Sequence, residues 1–463
     1  MTEVVTDEFS DSHFYKKVWT FGAPIALSHL MTSLLGVIDT KMVSGLGDVA
    51  VAAVGVSTNF AFLLIMISFG FLSGLSIFVA QYWGSKDIRS IHKVFIIAII
   101  IGTLISFVFF IAAFFFPEFI IGLYNNSGDT VNSTILNNYG VEYLRIAAFS
   151  YFTMTLTFVI AMIMRSVERV IYPQAVAIFT VLLNTLLNYT LIKGNFGFQA
   201  YGVKGAAIAT LISSGIGTIL LIMYLIKSKE EVFKIKFNTY KDVSVEFIKK
   251  ISKKALPVAI NEMMWGLGMS MYLVAFGFIS TDSLTSVHIS NQIMGLFWVI
   301  NAGISSACAI MLGNKLGEGK LELAKKWGQK FTKLSLIAGL VFGVILFVLS
   351  DYIPALYPNT STGVQDNIST ILKVFSFYVP LKFSNALQII GTLRAGGDTK
   401  FVMFAEIGPL WLIGVPLAFI LSIFTTLPLY IIIAIVNIEE IIKFFLVLGR
   451  FLQYKWVRNL TVE

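Results

Sequence analysis

Long apolar segments recur along this chain, each with roughly the length that crosses a lipid bilayer. The 463 residues are 57% hydrophobic and only 13% charged, and the mean hydropathy is +0.82. A spanning helix needs about 20 apolar residues, whereas soluble domains carry about 25% charged residues. Because a soluble core of this length has no room for so much apolar surface, the sequence predicts an all-α integral membrane protein.

Twelve such segments are predicted, with apolar residues on every side of each helix. In the first half they lie near 18–42, 51–82, 92–116, 140–163, 172–193 and 203–226. In the second half they lie near 255–279, 285–315, 328–352, 368–393, 402–424 and 428–450. The predicted organisation is an N-terminal segment (1–17), a first lobe (18–226), a linker (227–254), a second lobe (255–450) and a tail (451–463).

The two halves repeat one another at a fixed offset of 233 positions. The equivalent residues are Pro24 and Pro257, His29 and Glu262, Gly70 and Gly303, Ser73 and Ser306, Gln81 and Asn314, and Gly84 and Gly317. Because six is an even number of spans, both copies enter the membrane from the same side. Parallel repeats of this kind hold substrate between the halves near mid-membrane. The sequence therefore predicts two pseudo-symmetric six-helix lobes that work by alternating access.

Lysine and arginine alternate from loop to loop, which orients the predicted bundle. The loops at 43–50, 117–139, 352–367 and 425–428 contain neither residue, whereas the linker at 227–254 holds nine lysines. Basic residues are retained on the cytoplasmic side. Both termini and the linker are thus predicted to be cytoplasmic, in a multi-pass protein of the plasma membrane. The linker itself is interpreted as a solvated tether, with lipid binding through its lysines as the alternative.

Several other functions are disfavoured by the same sequence. The single cysteine, Cys308, excludes an intrachain disulfide framework, and the four scattered histidines form no HExxH motif. No GxSxG or equivalent motif is present, so an enzyme is not expected. The net charge of +8 is spread over alternating loops and not over one face, which argues against nucleic-acid binding. We expect a monomer in lipid, with no organic cofactor.

A carboxylate in the first span has candidate partners in spans 5 and 6. Asp39 lies late in its span, Asn184 and Asn188 share one helix face, and Thr210 adds a hydroxyl. One carboxylate with neutral oxygens suits a hard monovalent cation such as Na⁺, or a bound proton. Two alternatives remain: Asp39 at the membrane interface, and the asparagines as interhelical contacts.

Polar residues in the second half suggest a further site. Glu262 lies too deep in span 7 for easy snorkelling, and a buried glutamate is a candidate proton carrier; a permanently protonated structural residue is the alternative. Trp265 lies one turn away as a candidate cavity wall, and Lys382 in span 10 is a candidate ion-pair partner. His29, at the place that matches Glu262, is interpreted as a core histidine or a weaker proton carrier. Local ion pairs are expected between Glu439 and Lys443 and between Glu142 and Arg145.

Four short motifs, in order along the chain, resemble one transporter family. They are Pro24 followed by VIDT at 37–40, two asparagines four apart at 184 and 188, GVKGAAIAT at 202–210 and LRAGGDT at 393–399. With twelve spans, they are similar to the multidrug and toxic compound extrusion (MATE) family over residues 15–450, and closest to its NorM-like branch. That resemblance implies a secondary active multidrug efflux antiporter that exports organic cations in exchange for Na⁺ or H⁺.

The resemblance also implies roles for individual residues. Asp39 matches the first-helix aspartate of a cation site, and Asn184, Asn188 and Thr210 match its partners. Glu262 matches a seventh-helix glutamate, but Asn385 stands where the NorM-like branch often has an aspartate. His29, Trp265, Lys382 and Asn385 are the candidate residues of the substrate cavity. A flippase for lipid-linked saccharides, or an exporter of metabolites or organic anions, is the alternative function.

Overall fold

The computed structural model describes residues 10–122, 130–234, 237–358 and 360–462, and over these ranges the chain forms helices and no β-strand. In the first half the helices are α1 (Asp11–Ser44), α2 (Asp48–Gly84), α3 (Ile88–Phe115), α4 (Pro117–Gly122), α5 (Thr130–Ala147), α6 (Ser150–Ser166), α7 (Ile171–Lys193) and α8 (Val203–Lys227). An all-helical chain is what the bilayer demands, because each helix satisfies its own backbone hydrogen bonds.

The second half is also helical and includes two π-helical segments. Its helices are α9 (Val245–Gly277), α10 (Thr281–Gly317), α11 (Leu321–Leu349), α12 (Thr362–Ala386), α13 (Thr399–Pro409), α14 (Val415–Phe424), α15 (Leu429–Val436) and α16 (Ile438–Leu452). π-Helical segments at Leu387–Leu393 and Leu410–Gly414 follow α12 and α13. Short 3₁₀ turns lie at Asn195–Gly197, Glu231–Phe233, Phe237–Asp242 and Ile353–Leu356.

Nine of the twelve predicted spans coincide with helices that are long and apolar enough to cross a membrane. Eight are single helices, and the ninth is the pair Thr134–Ala147 and Ser150–Ser166, bent by 47°. The predicted spans at 255–279, 368–393 and 428–450 are helical but miss this criterion among the described residues. The first two segments contain the charged residues Glu262 and Lys382, which lower their hydropathy. The third is divided at Asn437 into helices of 8 and 15 residues, which are too short to meet the criterion.

Contacts divide the chain into two compact units. The N-unit comprises residues 27–79 and 88–248, and the C-unit comprises residues 1–26, 80–87 and 249–463. Each has its own apolar core; that of the C-unit includes Ile368, Ile371, Leu372 and Phe383. The lobes predicted from the sequence are continuous ranges of the chain, whereas these units are defined by contacts and are not continuous. The predicted lobe boundaries are therefore not tested by this division and stay a prediction.

The linker is docked on the N-unit, so the prediction of a solvated tether is wrong for its described part. Val232 and Phe233 are buried, and His92 Nε2 on α3 lies 3.0 Å from the carbonyl oxygen of Val232. Arg89 donates to Asp242 over 2.8 Å, and this hydrogen bond holds the pKa of the Asp242 carboxyl below its ordinary value. Apolar side chains buried at 232–233 provide the physical reason, because a tether would leave them in water.

The tail after α16 is also held by specific contacts within the C-unit. Trp456 is fully buried, and the backbone N–H of Leu460 donates to Gln81 Oε1 over 2.6 Å. Gln81 Nε2 in turn donates to the carbonyl oxygen of Ala395 over 2.8 Å. The end of α2 and the tail therefore satisfy each other's buried polar groups.

Two repeat-related helix ends cross at glycines. A Cβ on Gly84 would lie 2.0 Å from the carbonyl oxygen of Asn314, and a Cβ on Gly317 would lie 1.9 Å from that of Gln81. Gln81 and Asn314, like Gly84 and Gly317, are the pairs that the offset of 233 makes equivalent. Reciprocal contact between equivalent residues is the mark of a two-fold arrangement. Only glycine permits backbones to approach this closely.

We predict that Gly317→Ala destabilises the purified protein, because its methyl group would force the two backbones apart. Gly295→Ala is the matched control, since Gly295 lies in the same helix, α10, with no heavy atom of the described chain within 4 Å of an added Cβ. In detergent, thermal unfolding should occur at a clearly lower temperature for Gly317→Ala than for the control. Equal unfolding temperatures would contradict the crossing.

Candidate functional site

The N-unit gathers the polar residues that the sequence predicted to lie together. Asn184 and Asn188 on α7 and Thr210 on α8 are joined by hydrogen bonds of 3.2 Å between the two asparagine side chains and 3.4 Å from Asn184 Nδ2 to Thr210 Oγ1. Those two bonds use one orientation of the Asn184 amide. In the opposite orientation they are replaced, because the amide nitrogen donates to Asp39 Oδ2 on α1 over 3.1 Å and the amide oxygen accepts from the backbone N–H of Thr210 over 3.2 Å. Three helices thus supply one cluster.

The backbones of α7 and α8 can approach closely because of glycine. A Cβ on Gly205 would lie 2.5 Å from the carbonyl oxygen of Leu191, and α7 ends at Gly194, whose φ of +74° is the left-handed conformation that glycine adopts easily. This close approach brings the short side chains of Asn184 and Thr210 within reach of each other. The motif at 202–210 therefore positions the cluster through its glycine as well as its threonine.

Three buried oxygen atoms in this cluster have no hydrogen-bond partner among the described residues. They are Asp39 Oδ1, Thr185 Oγ1 and Asn188 Oδ1. Thr185 and Asn188 both interact with the Asp39 side chain. Buried acceptors left without donors are costly unless a cation or water meets them. One carboxylate with neutral hydroxyl and amide oxygens fits a hard monovalent cation such as Na⁺.

Thr185 on α7 belongs to this cluster but was not predicted from the sequence. The four-residue spacing of the asparagines drew attention to one helix face, and Thr185 lies one position after Asn184. It also lies three positions before Asn188, and residues three apart are neighbours on a helix. That spacing was the available signal.

A seam of hydroxyl groups runs from this cluster between α6 and α8. Thr153 pairs with Ser214 and Thr157 with Thr218, each with an oxygen separation of 2.8 Å. Thr218 also donates to the carbonyl oxygen of Thr153 over 2.9 Å. These groups satisfy one another, so they act as interhelical contacts.

His29 does not join the Asp39 cluster. It lies ten residues earlier on α1, about 15 Å along a helix that rises ~1.5 Å per residue. Its side chain is exposed on the isolated chain and interacts electrostatically with Arg165. Its predicted place in a substrate cavity stays a prediction.

The C-unit holds a larger group of buried charges. Arg394 NH2, just after the π-helical segment Leu387–Leu393, lies 2.8 Å from Glu262 Oε1 on α9, with the two side chains only 2% and 10% exposed. Lys443 lies 3.0 Å from Glu439 and 3.3 Å from Glu440 on α16. Glu262 therefore has a basic partner from another helix, and the predicted pair of Glu439 and Lys443 is confirmed.

The remaining predicted residues of the second half divide between this group and the protein surface. Asn385 is buried and donates to Glu440 Oε2 over 2.8 Å. Lys382 Nζ lies 5.1 Å from the centre of the Phe375 ring and interacts electrostatically with Glu440. Trp265 is half-buried. Asn385, which stands where the NorM-like branch often has an aspartate, thus lies beside the carboxylate of Glu440 on α16.

The members of this group that were not predicted as site residues from the sequence include Asn261, Glu406 and Arg394. Asn261 Nδ2 donates to Glu406 Oε2 on α13 over 2.5 Å, and Arg394 is the partner of Glu262. In the sequence, Arg394 was recognised only as part of the motif LRAGGDT at 393–399. Glu262 and Arg394 are 132 positions apart, so no local spacing could have paired them.

No metal-binding cluster of the usual kind accompanies these groups. Among the described ranges, no three side chains of histidine, cysteine, aspartate or glutamate are arranged to hold a metal ion. Cys308 is a buried free thiol. The oxygen atoms around Asp39 are of a different type, since only one of them carries a formal charge.

We predict an asymmetry between the two ways of breaking the buried pair. Glu262→Ala leaves the Arg394 guanidinium without its partner, and because arginine cannot lose its proton, the loss of stability should reach about 3–5 kcal/mol. Arg394→Met should cost less, because Glu262 can become neutral by taking up a proton. Thermal unfolding in detergent measures both effects.

Arg89→Ala is the control for this comparison, since it breaks the exposed pair with Asp242. An exposed ion pair contributes at most about 1 kcal/mol. The double variant Glu262→Leu/Arg394→Met should recover much of the lost stability. Equal losses from Glu262→Ala and Arg89→Ala would contradict the buried pair.

The sequence model of the MatE family matches the chain twice, over residues 24–190 and 257–420. The matches begin 233 positions apart, which is the offset of the internal repeat. The chain is 25% identical to the probable multidrug resistance protein YoeA of Bacillus subtilis over 429 residues, covering 92% of this chain and 90% of that protein. It is 23% identical to the probable multidrug resistance protein NorM of Bacillus anthracis over 406 residues, covering 87% of each.

Solved structures share the fold. A MOP superfamily transporter from Pyrococcus furiosus, described as having a binding pocket of reverse polarity, superposes with a TM-score of 0.83 over 95% of this chain and 96% of that chain, at 19% identity. This likeness shows the fold alone. The two-lobe all-α prediction is confirmed by this fold and by the double family match. The chain is a multi-pass membrane transporter that belongs to the MatE family and is similar to its NorM-like members.

Proposed function

We propose that this transporter is a secondary active multidrug efflux antiporter that exports organic cations in exchange for Na⁺ or H⁺. The observation that carries the proposal is the Asp39 cluster, where Asp39 Oδ1, Thr185 Oγ1 and Asn188 Oδ1 are buried without a hydrogen-bond partner in the described chain. The Bacillus relatives, which are named probable multidrug resistance proteins, support the same class of substrate.

Asp39, Asn184, Asn188 and Thr210 would hold the coupling ion, together with Thr185. Na⁺ would compensate the negative charge of the Asp39 carboxylate, which has no basic partner there. The carboxylate provides the charge for binding, while the amide and hydroxyl oxygens replace water from the hydration shell. Asn184 fixes the Asp39 carboxylate by its hydrogen bond, so the oxygens are arranged before the ion arrives.

Coupling requires that the ion and the exported cation favour different conformations of the two lobes, or compete for one carboxylate. One charge that crosses a potential of 100 mV yields about 2.3 kcal/mol. That free energy supports a substrate gradient of roughly forty-fold, since about 1.4 kcal/mol corresponds to a factor of ten. Because one-for-one exchange with a monovalent organic cation moves no net charge, this contribution requires that the coupling ions outnumber the exported charges. In one-for-one exchange the concentration gradient of the ion supplies the free energy.

The alternative functions need free positive charge to bind phosphates or organic anions. Each basic side chain of the buried group in the C-unit has acidic neighbours: Arg394 pairs with Glu262, and Lys443 pairs with Glu439 and Glu440. Lys382 interacts with Glu440 as well. Because these charges are compensated, the geometry favours export of cations over export of anions or flipping of lipid-linked saccharides.

We predict that inverted membrane vesicles take up a fluorescent organic cation when a Na⁺ gradient or a proton gradient is imposed separately. Asp39→Asn should reduce the Na⁺-driven rate by about tenfold or more, because the cluster loses its only formal charge. Asp351→Asn is the control, since it makes the same chemical change at an exposed carboxylate outside the spans.

Two results would count against the proposal in different ways. Uptake driven by neither gradient would remove the antiporter function. Na⁺-driven uptake that is equal in Asp39→Asn and in Asp351→Asn would retain the antiporter but remove Asp39 from the coupling site.

A further inference from the structure

The buried charges of the C-unit do not balance. Four carboxylates and three basic groups of the described chain share this region: Glu262, Glu406, Glu439 and Glu440, with Arg394, Lys382 and Lys443. If all were ionised, one negative charge would remain. The adjoining pair of Asp398 and Arg450 is neutral in itself, with nitrogen–oxygen distances of 2.5 and 3.0 Å. An uncompensated charge inside a membrane protein is costly, so a proton or a cation must cancel it.

Contacts identify Glu406 as the carboxylate left over. Arg394 lies against Glu262, and Lys443 lies between Glu439 and Glu440. Within the described ranges, no basic nitrogen lies within 4.0 Å of Glu406. The charged groups that face it are Glu262 from α9, Lys443 from α16 and Arg394 from the end of the π-helical segment Leu387–Leu393, in addition to the neutral Asn261.

The neighbour of Glu406 has a buried oxygen that can accept a hydrogen bond from the protonated acid. Asn261 is only 1% exposed, and its Nδ2 atom lies 2.5 Å from Glu406 Oε2. Its Oδ1 atom has no hydrogen-bond partner in the described chain. When Glu406 is protonated and the amide turns, the carboxylic O–H donates to Asn261 Oδ1. One proton then removes the excess charge and gives Asn261 Oδ1 a donor, while Asn261 Nδ2 moves to the position that Oδ1 held.

Access and local backbone structure also suit a group that gains and loses a proton. The Glu406 side chain is partly exposed on the isolated chain, unlike that of Asn261. Glu406 lies one turn before the π-helical segment Leu410–Gly414, and π-helical turns are frequent at functional sites. Trp411 in that segment donates to the carbonyl oxygen of Met264 over 3.0 Å, which ties the wider turn to α9.

We propose that Glu406 carries an exchangeable proton and makes the buried charges of the C-unit a second coupling site, specific for H⁺ and separate from the Asp39 cluster. This proposal rests on the proposed antiporter function. In the loading step the Glu406 carboxylate takes up one proton and becomes a carboxylic acid that donates to Asn261. In the release step the same O–H bond breaks, the proton leaves, and Asn261 Nδ2 again donates to the carboxylate. No other bond or redox change is involved.

Glu406→Gln tests the assignment because glutamine is neutral, like the protonated acid, and keeps a similar shape. In inverted vesicles, uptake of the fluorescent cation driven by a proton gradient should fall by about tenfold or more in this variant. Uptake driven by a Na⁺ gradient should stay within about twofold of wild type. Glu322→Gln, an exposed change on α11 whose side chain is 78% exposed, is the control and should alter neither rate.

A direct readout does not depend on transport. Infrared difference spectra of the purified protein between mildly acidic and alkaline pH should show a carboxylic-acid C=O band in wild type and in Glu322→Gln. That band should be lost in Glu406→Gln. The variant should also unfold at a temperature no lower than wild type, because it removes the unbalanced charge.

Three results would overturn the proposal. The first is that the infrared band and the proton-driven uptake both persist in Glu406→Gln. The second is that this variant loses only the Na⁺-driven uptake, which would assign a metal cation to this site. A wild-type protein without the band would also exclude the proton. Failure of uptake in wild type under both gradients would refute the antiporter, while the infrared comparison would still test the proton on Glu406.

Discussion

The cost of an ionised side chain inside a bilayer governs the interior of this transporter. On insertion scales that cost is roughly 2.5–3.5 kcal/mol for each charge at the centre of a helix. In the C-unit it is met by ion pairs between helices, such as Glu262 with Arg394. In the N-unit the single carboxylate of Asp39 has amide and hydroxyl neighbours and no basic partner among the described residues. The two units thus hold charge in different ways, although their sequences derive from one repeat.

The repeat explains both the likeness and the difference. Backbone features are kept at the offset of 233 residues, as the reciprocal glycine contacts of Gly84 and Gly317 show. Polar side chains are not kept, because His29 stands where the second half has Glu262. Glycine contacts depend on the close packing of two backbones and tolerate no side chain. The chemistry of each half can diverge as long as those contacts remain.

Hydropathy and periodicity were sufficient to predict the helices, because the bilayer imposes one rule on every span. The pair of Glu439 and Lys443 was also predictable, since residues four apart on a helix must be neighbours. The same reasoning failed for Glu142 and Arg145, which are three apart. Arg145 pairs with Glu118 and Glu142 pairs with Lys204. Exposed side chains of this length can reach partners on other helices, so spacing along one helix does not determine their pairing.

Contacts between distant segments could not be read from spacing. The docking of the linker through Val232 and Phe233 depends on a surface of α3 that only the folded chain presents. Asn261 could not be predicted as a site residue, because its hydrogen-bond partner Glu406 lies 145 positions away in the chain. The cluster around Asp39 was predicted in part, since the asparagines share a helix face, but the contribution of Thr185 required the packed helices.

Binding of Na⁺ to the purified protein tests the central claim most directly. Thermal unfolding in detergent would be measured as NaCl replaces choline chloride at constant ionic strength and pH. A ligand that binds only the folded state raises its stability by mass action. The account predicts a saturable rise in unfolding temperature for wild type and none for Asp39→Asn. A rise of equal size in both proteins, or none in wild type, would contradict it.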